Sequence, residues 1–125
     1  MLNHLPWAIL IQPLPAGLRT LDDIPEGYRP PPLGAREAII SRIRDRVPGV
    51  DFFYSAWGRL EGEGFSIEFH LGEEEEATSL LLHVRGDRKA ISVVRDVSEA
   101  LGCRAIDCSE RAVIDFESPA EAVLV

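Results

Sequence analysis

This chain is short of the groups that usually announce a chemistry. It has two cysteines, Cys103 and Cys108. Two do not make a disulfide framework in a chain of this size. Their C-x4-C spacing, with no second pair, is not a zinc motif. They read as free thiols near a strand end, and no metal or cofactor is expected. No apolar run approaches the about 20 residues of a membrane-spanning helix. Positive charge is scarce too, with 13 Lys and Arg against 21 Asp and Glu and a net charge of −8. Phosphate backbones need clustered basic residues, so nucleic acid is excluded as a partner, whereas a basic protein fits. Acidity for solubility alone fits as well. Finally, there is no Walker loop, dinucleotide fingerprint, HExxH, GxSxG or CxxC pair. Their absence weighs against an enzyme without excluding one.

What is present is ordinary for a folded protein. Hydrophobic residues make up 46% of the 125 and charged residues 27%. That supports one compact domain over residues 1–125. The acidity is concentrated: residues 48–86 carry eight acidic and two basic side chains, a net −6. Twelve of the 13 basic residues are Arg, a bias that suggests a GC-rich bacterial genome. The N-terminus is apolar but lacks a basic flank and carries Pro6 and Pro13. It reads as a strand and not a signal peptide, so the cytoplasm is the expected compartment.

Trp7 to Gln12 is an apolar run between prolines and is expected to be a buried strand. Six of the nine prolines fall in residues 13–33. They fix φ and remove donors, so this stretch is a wrap and not a helix or central strand. Ala35, Ile39, Ile43 and Val47 form an apolar stripe that predicts a helix over 35–47, ended by Pro48-Gly49. After the segment DFFYSAWG, strands are expected at 57–61, 65–71 and 79–85. In the second of these, Phe65, Ile67, Phe69 and Leu71 alternate with Ser66, Glu68 and His70, the mark of one buried and one open face. Asp87 reads as the N-cap of a helix ending at Leu101, with Gly102 as its left-handed stop. A strand follows at 103–107, a weaker one is possible at 112–116, and residues 117–125 read as a tail. The order βαβββαβ predicts an α+β fold, a two-layer sandwich with two helices on one face of a largely antiparallel sheet.

The run from Trp7 through IPEGYRPPPLG to AWGRLEGEGFSIEFHLG resembles a group of small uncharacterised bacterial proteins. They share a Pro-rich loop, an Arg-bearing helix and a Trp-Gly before a hairpin. The resemblance supports the element boundaries and a bacterial origin, and it implies no catalytic residue.

Four constellations could carry function. The first is the open face of the hairpin. Pairing Phe69 with Leu80, Ile67 with Leu82 and Phe65 with Val84 puts all six on the core side. Glu68 and His83 are then diagonal neighbours and weak candidates for an acid/base pair. Arg85 stands beside them as an anion holder. That register separates His70 from His83 too far to share an ion. His4, near the terminus, reads as exposed. The second is the acidic run Glu73, Glu74, Glu75 and Glu76 at the hairpin tip, either a docking patch for a basic partner or a solvated turn. The third is Phe52, Phe53, Tyr54 and Trp57. Phe53 and Trp57 are expected in the core and Tyr54 partly exposed. The fourth is the wrap, where Tyr28 and Arg29 either face a partner or close a pocket over Glu68 and His83. The leading expectation is a protein–protein binding module, with an immunity-type neutraliser of a basic toxin as one version. A small-molecule or acid/base site is the alternative. A module that self-associates through a sheet edge or the AVLV tail is a third reading.

Overall fold

The hairpin between the two helices organises the sheet, and glycine placement sets its register. A computed structural model describes residues 7–15, 17, 20–54, 56–114 and 116. Its strands are β1 (Trp7–Gln12), β2 (Gly34–Ala35), β3 (Asp51–Tyr54), β4 (Trp57–Gly62), β5 (Phe65–His70), β6 (Glu76–Ala77), β7 (Leu80–Gly86), β8 (Arg104–Asp107) and β9 (Ala112–Val113). Two helices, α1 (Arg36–Arg46) and α2 (Ala90–Leu101), and a 3₁₀ turn (Leu21–Asp23) complete the described elements. Seven strands form one antiparallel sheet in the order β3-β4-β5-β7-β1-β8-β9, and β2 pairs with β6 separately. The class is α+β, as the periodicities predict. The tail at 117–125 and His4 lie outside the described residues.

The core lies between the helices and one face of the sheet. Ile9 and Ile11 of β1, Ile67 and Phe69 of β5, and Leu80, Leu82 and Val84 of β7 join Ile39, Ile40 and Ile43 of α1 and Val94, Val97 and Leu101 of α2 in one buried cluster. The period-two and helical stripes therefore meet as expected. Arginines off the α1 stripe tie the helices together. Arg42 donates through Nε and Nη2 to the Ala100 carbonyl at 3.1 and 2.8 Å. Arg46 meets Glu99 at 2.8 Å. α2 starts later than expected: Asp87 Oδ1 accepts from the Lys89 amide, so Asp87 holds a short turn ahead of the helix. Gly102 ends the helix at φ 64°, with its own amide and that of Cys103 closing onto Glu99 and Ser98.

The hairpin register differs from the expected one by two residues. Phe69 stands against Leu82, Ile67 against Val84 and Phe65 against Gly86. A shift of two keeps every side chain on its face but changes all its neighbours. Two causes are visible. Gly86, at φ 100°, lets the Gly64–Phe65 backbone approach closely enough to pair, where a Cβ would collide with the Gly64 carbonyl, while the Phe65 ring lies over Gly62 on its other side. In addition, Glu76–Ala77 leaves the hairpin to pair with β2, which demands a long connection.

Strand β3 was unexpected. Asp51 pairs with Arg59 and Tyr54 with Trp57, a register change that marks a bulge. Phe52 turns inward and packs on Phe69 at 5.9 Å between ring centres. Gly58 makes room for it, since a Cβ there would lie 2.8 Å from the Phe52 ring. The wrap is tied down at several points. Tyr28 donates to the Pro13 carbonyl at 3.5 Å, Arg104 to the Pro15 carbonyl at 3.4 Å, and Thr20 bridges Ala112. It then reaches β6, where the Leu33 amide donates to Ala77 at 2.8 Å.

Candidate functional site

Strand pairing arranges the helix-free face of the sheet in rows. Tyr54, Trp57, His70, Leu81, Leu10, Ile106 and Val113 stand side by side, one from each strand. The next row is Asp51, Arg59, Glu68, His83 and Ala8. The third is Glu61, Ser66 and Arg85. The face is not open throughout. Ile106 is fully buried although it stands outside the helix-side core, so the β8 end of this face is covered. The accessible part spans β3, β4, β5 and β7.

Within it, imidazole and indole rings form a chain. The Trp57 indole Nε1–H donates to His70 Nδ1. The Trp57 and His70 rings meet edge to face at 4.8 Å, and His70 meets His83 edge to face at 5.1 Å. The two-residue register shift causes this second contact, correcting the expectation that the histidines lie far apart. An indole N–H is only a donor, so Nδ1 of His70 must carry a lone pair. The ring proton of neutral His70 is therefore on Nε2, which faces Glu68 Oε1 at 3.5 Å. With Nδ1 taken by Trp57 and Nε2 holding the proton, neutral His70 has no lone pair left for a metal. Glu68 lies directly opposite His83. Their Cβ atoms are then about 5 Å apart, closer than the diagonal relation expected from the sequence.

Arg85 lies two positions along β7 from His83, beside Ser66, and is exposed. It lines a shallow depression of about 570 Å³ with Glu61, Gly62, Gly64, Phe65, Ser66 and Gly86. Glu61 is engaged there by Arg59 at 2.6 Å. The wrap stands elsewhere. Tyr28 is half-buried and spends its hydroxyl on Pro13, and Arg29 is exposed. The contacts of the wrap described above do not involve Glu68 or His83.

The aromatic segment departs most from expectation. Phe53 is 50% exposed, Tyr54 69% and Trp57 41%, and these are the exposed large hydrophobic residues among the described ones. Phe53 and Trp57 are thus on the surface and not in the core. The bulge in β3 is the physical reason, because it breaks the alternation and leaves two successive aromatics outside. They form one patch: Phe53 lies 5.6 Å from Tyr54 and 5.8 Å from Trp57 between ring centres. The signal in the sequence was the lone Gly58 after Trp57, which marks where a ring enters the sheet.

The acidic run starts near this patch and ends at the start of α1. The Leu71 amide donates to the Ala56 carbonyl in the β3–β4 turn at 2.9 Å, two residues before Glu73. Glu73, Glu74, Glu75 and Glu76 are all exposed, yet their backbone is docked. Glu75 accepts from the Arg36 amide at 2.8 Å and Glu74 from Arg36 Nη1 at 3.0 Å. The tip therefore satisfies the start of α1, whose Ala35 offers no side-chain cap.

Cys103 and Cys108 are both free. Burial raises the Cys103 thiol above its ordinary value, with Arg42 opposing. Burial and then the Asp107 carboxylate raise Cys108, against a backbone hydrogen bond at Leu10. Raised thiols are poor nucleophiles at neutral pH. Among the described residues, no cluster of three or more His, Cys, Asp or Glu side chains could hold a metal ion, and no helix is long and apolar enough to cross a membrane. No protein-family model, curated protein or solved structure matches the chain.

Proposed function

We propose that this chain is a small protein-binding module of the cytosol, and that its contact surface is the β3–β4 aromatic hairpin with the adjoining sheet face and acidic tip. The observation that carries this reading is the concentration of exposed aromatic surface. Phe53, Tyr54 and Trp57 form one patch at one edge of the sheet. Exposed aromatics that touch one another mark interaction sites, and aromatic residues dominate binding energy in interfaces. The neighbouring net charge of −6 over residues 48–86 favours a basic partner. Neutralising a basic toxin or nuclease is one concrete version.

The test is retention of a partner on the immobilised chain, compared with Tyr54→Ser and Trp57→Ser. Both side chains are substantially exposed, so the variants should fold. Loss of retention in both, with each variant still folded, supports the reading. A partner held equally by all three proteins removes this surface from consideration.

A second reading, a small-molecule or acid/base site, draws on the juxtaposition of Glu68, His70 and His83. In this reading His83 exchanges the proton, Glu68 orients it and Arg85 holds an anion. NMR titration of His83 in wild type and Glu68→Gln tests it. Identical His83 titration curves would remove Glu68 as its partner.

A further inference from the structure

We infer that the corner between the aromatic hairpin and the acidic tip receives an arginine-bearing segment of the partner. The inference rests on the protein-binding reading and specifies the chemistry of what binds. Three observations carry it. First, the exposed rings of Tyr54, Phe53 and Trp57 offer π surface. Ring faces attract cations, and a guanidinium stacks on them more readily than an ammonium does.

Second, exposed carboxylates follow the aromatic hairpin in the chain and, among the described residues, enter no ion pair. The Leu71–Ala56 hydrogen bond holds the chain against the aromatic turn two residues before the acidic run begins. Asp51 stands at the other end of β3. Among the described residues, Asp51, Glu73, Glu74, Glu75 and Glu76 enter no ion pair. The nearby cations are turned elsewhere. Arg59 holds Glu61 at 2.6 Å, Arg36 holds the Glu74 backbone, and Arg44 lies over the inward Phe52 ring at 5.7 Å. A guanidinium arriving from outside finds rings for its face and carboxylates for its N–H groups, the two contacts that distinguish Arg from Lys.

Third, the alternatives fit less well. A second copy meeting this corner across a two-fold axis would bring two acidic tips together. Strand addition at β3 is opposed by its four-residue length and its bulge. Nucleic acid is repelled by the same charge that attracts arginine.

The experiment uses the full ¹⁵N-labelled chain and three synthetic peptides of equal length: Arg-Gly-Ser, Lys-Gly-Ser and Glu-Gly-Ser repeats. The Trp57 indole N–H, assigned through Trp57→Phe, reports on the rings, and the amides of residues 71–77 report on the tip. The Arg peptide is expected to move both sets of signals and to bind about fivefold more tightly than the Lys peptide, the worth of one cation–π contact. The Glu peptide is expected to leave them unmoved. Tyr54→Ser should abolish the preference for Arg, and Glu73–Glu76→Gln should weaken both basic peptides.

Equal affinity for Arg and Lys with an unmoved Trp57, or no binding by either, overturns the arginine anchor. The retention test uses no cationic probe, so the two ideas fail separately. A partner held through Tyr54 and Trp57 while the Arg peptide leaves Trp57 unmoved defeats only the anchor. Loss of neither property in the variants defeats the protein-binding reading itself.

Discussion

At Trp57 the indole N–H can only donate, and its acceptor is Nδ1 of His70. This one contact sets the His70 tautomer and leaves its Nε2–H near Glu68, 3.5 Å from Oε1, with no hydrogen bond among the described residues. Trp57→Phe removes the donor while keeping a ring. The His70 nitrogen chemical shifts should then move from a pure Nε2–H form towards a mixture, with about 1 kcal/mol lost in denaturant unfolding. An unchanged tautomer would mean that Glu68 alone orients the ring. A second residue-scale prediction concerns Ser98, which is buried at 3% exposure with no hydrogen-bond partner for its hydroxyl among the described residues. Removing an unsatisfied buried hydroxyl is neutral to favourable, so Ser98→Ala should stabilise the fold by up to about 1 kcal/mol. The cysteines give a third. Both thiols are raised above the ordinary value. The pH midpoint of iodoacetamide labelling should therefore lie above that of a free thiol, and Cys108, the more exposed, should react first. The same shifts carry a stability sign. A thiol with a raised folded-state value ionises earlier in the unfolded chain, so stability falls as pH rises from the unfolded value towards the folded one.

At the scale of elements, the edge hairpin β3–β4 and the hairpin β4–β5 each depend on a ring lying over a glycine. Phe52 covers Gly58, and Phe65 occupies the space beside Gly62. The collision at Gly62 is with a half-buried ring packed against the core. Gly62→Ala is expected to destabilise by about 1–3 kcal/mol, read from the denaturation midpoint. If alanine is tolerated there, the Phe65 ring does not depend on Gly62. The periodicity made β5 and β7 legible, because a one-residue error would have exposed their apolar faces. It did not choose between registers differing by two residues, since both bury the same side chains. Nor did it reveal β3. Four residues reading Asp-Phe-Phe-Tyr show no alternation once a bulge intervenes.

For the whole molecule, charge distribution matters more than charge total. The acidic run closes the N-terminal end of α1 through its backbone, and it places carboxylates near the positive end of that helix. Glu73–Glu76→Gln takes the net charge from −8 to −4. It should cost about 0.3–1 kcal/mol of stability at low salt and nearly nothing at high salt. Equal losses at both ionic strengths would assign the effect to the loop backbone instead. The tip thus joins two scales. Its carbonyls cap a helix, and its side chains remain available to a partner.

By itself the sequence determined the element types, the α+β class and the side of each strand that is buried, because those follow from local periodicity and from glycine and proline. It also determined the acidity of residues 48–86. The tertiary structure alone decided which residues are neighbours. A two-residue shift brought His70 against His83 and placed Glu68 opposite His83. A bulge turned Phe53 and Tyr54 outwards, and a distant strand, β2, pinned the acidic tip at the start of α1. Periodicity is a property of one segment, whereas register, bulges and docking are settled by contacts between segments far apart in the chain. The candidate site consists of such contacts, so its residues were legible while its geometry was not.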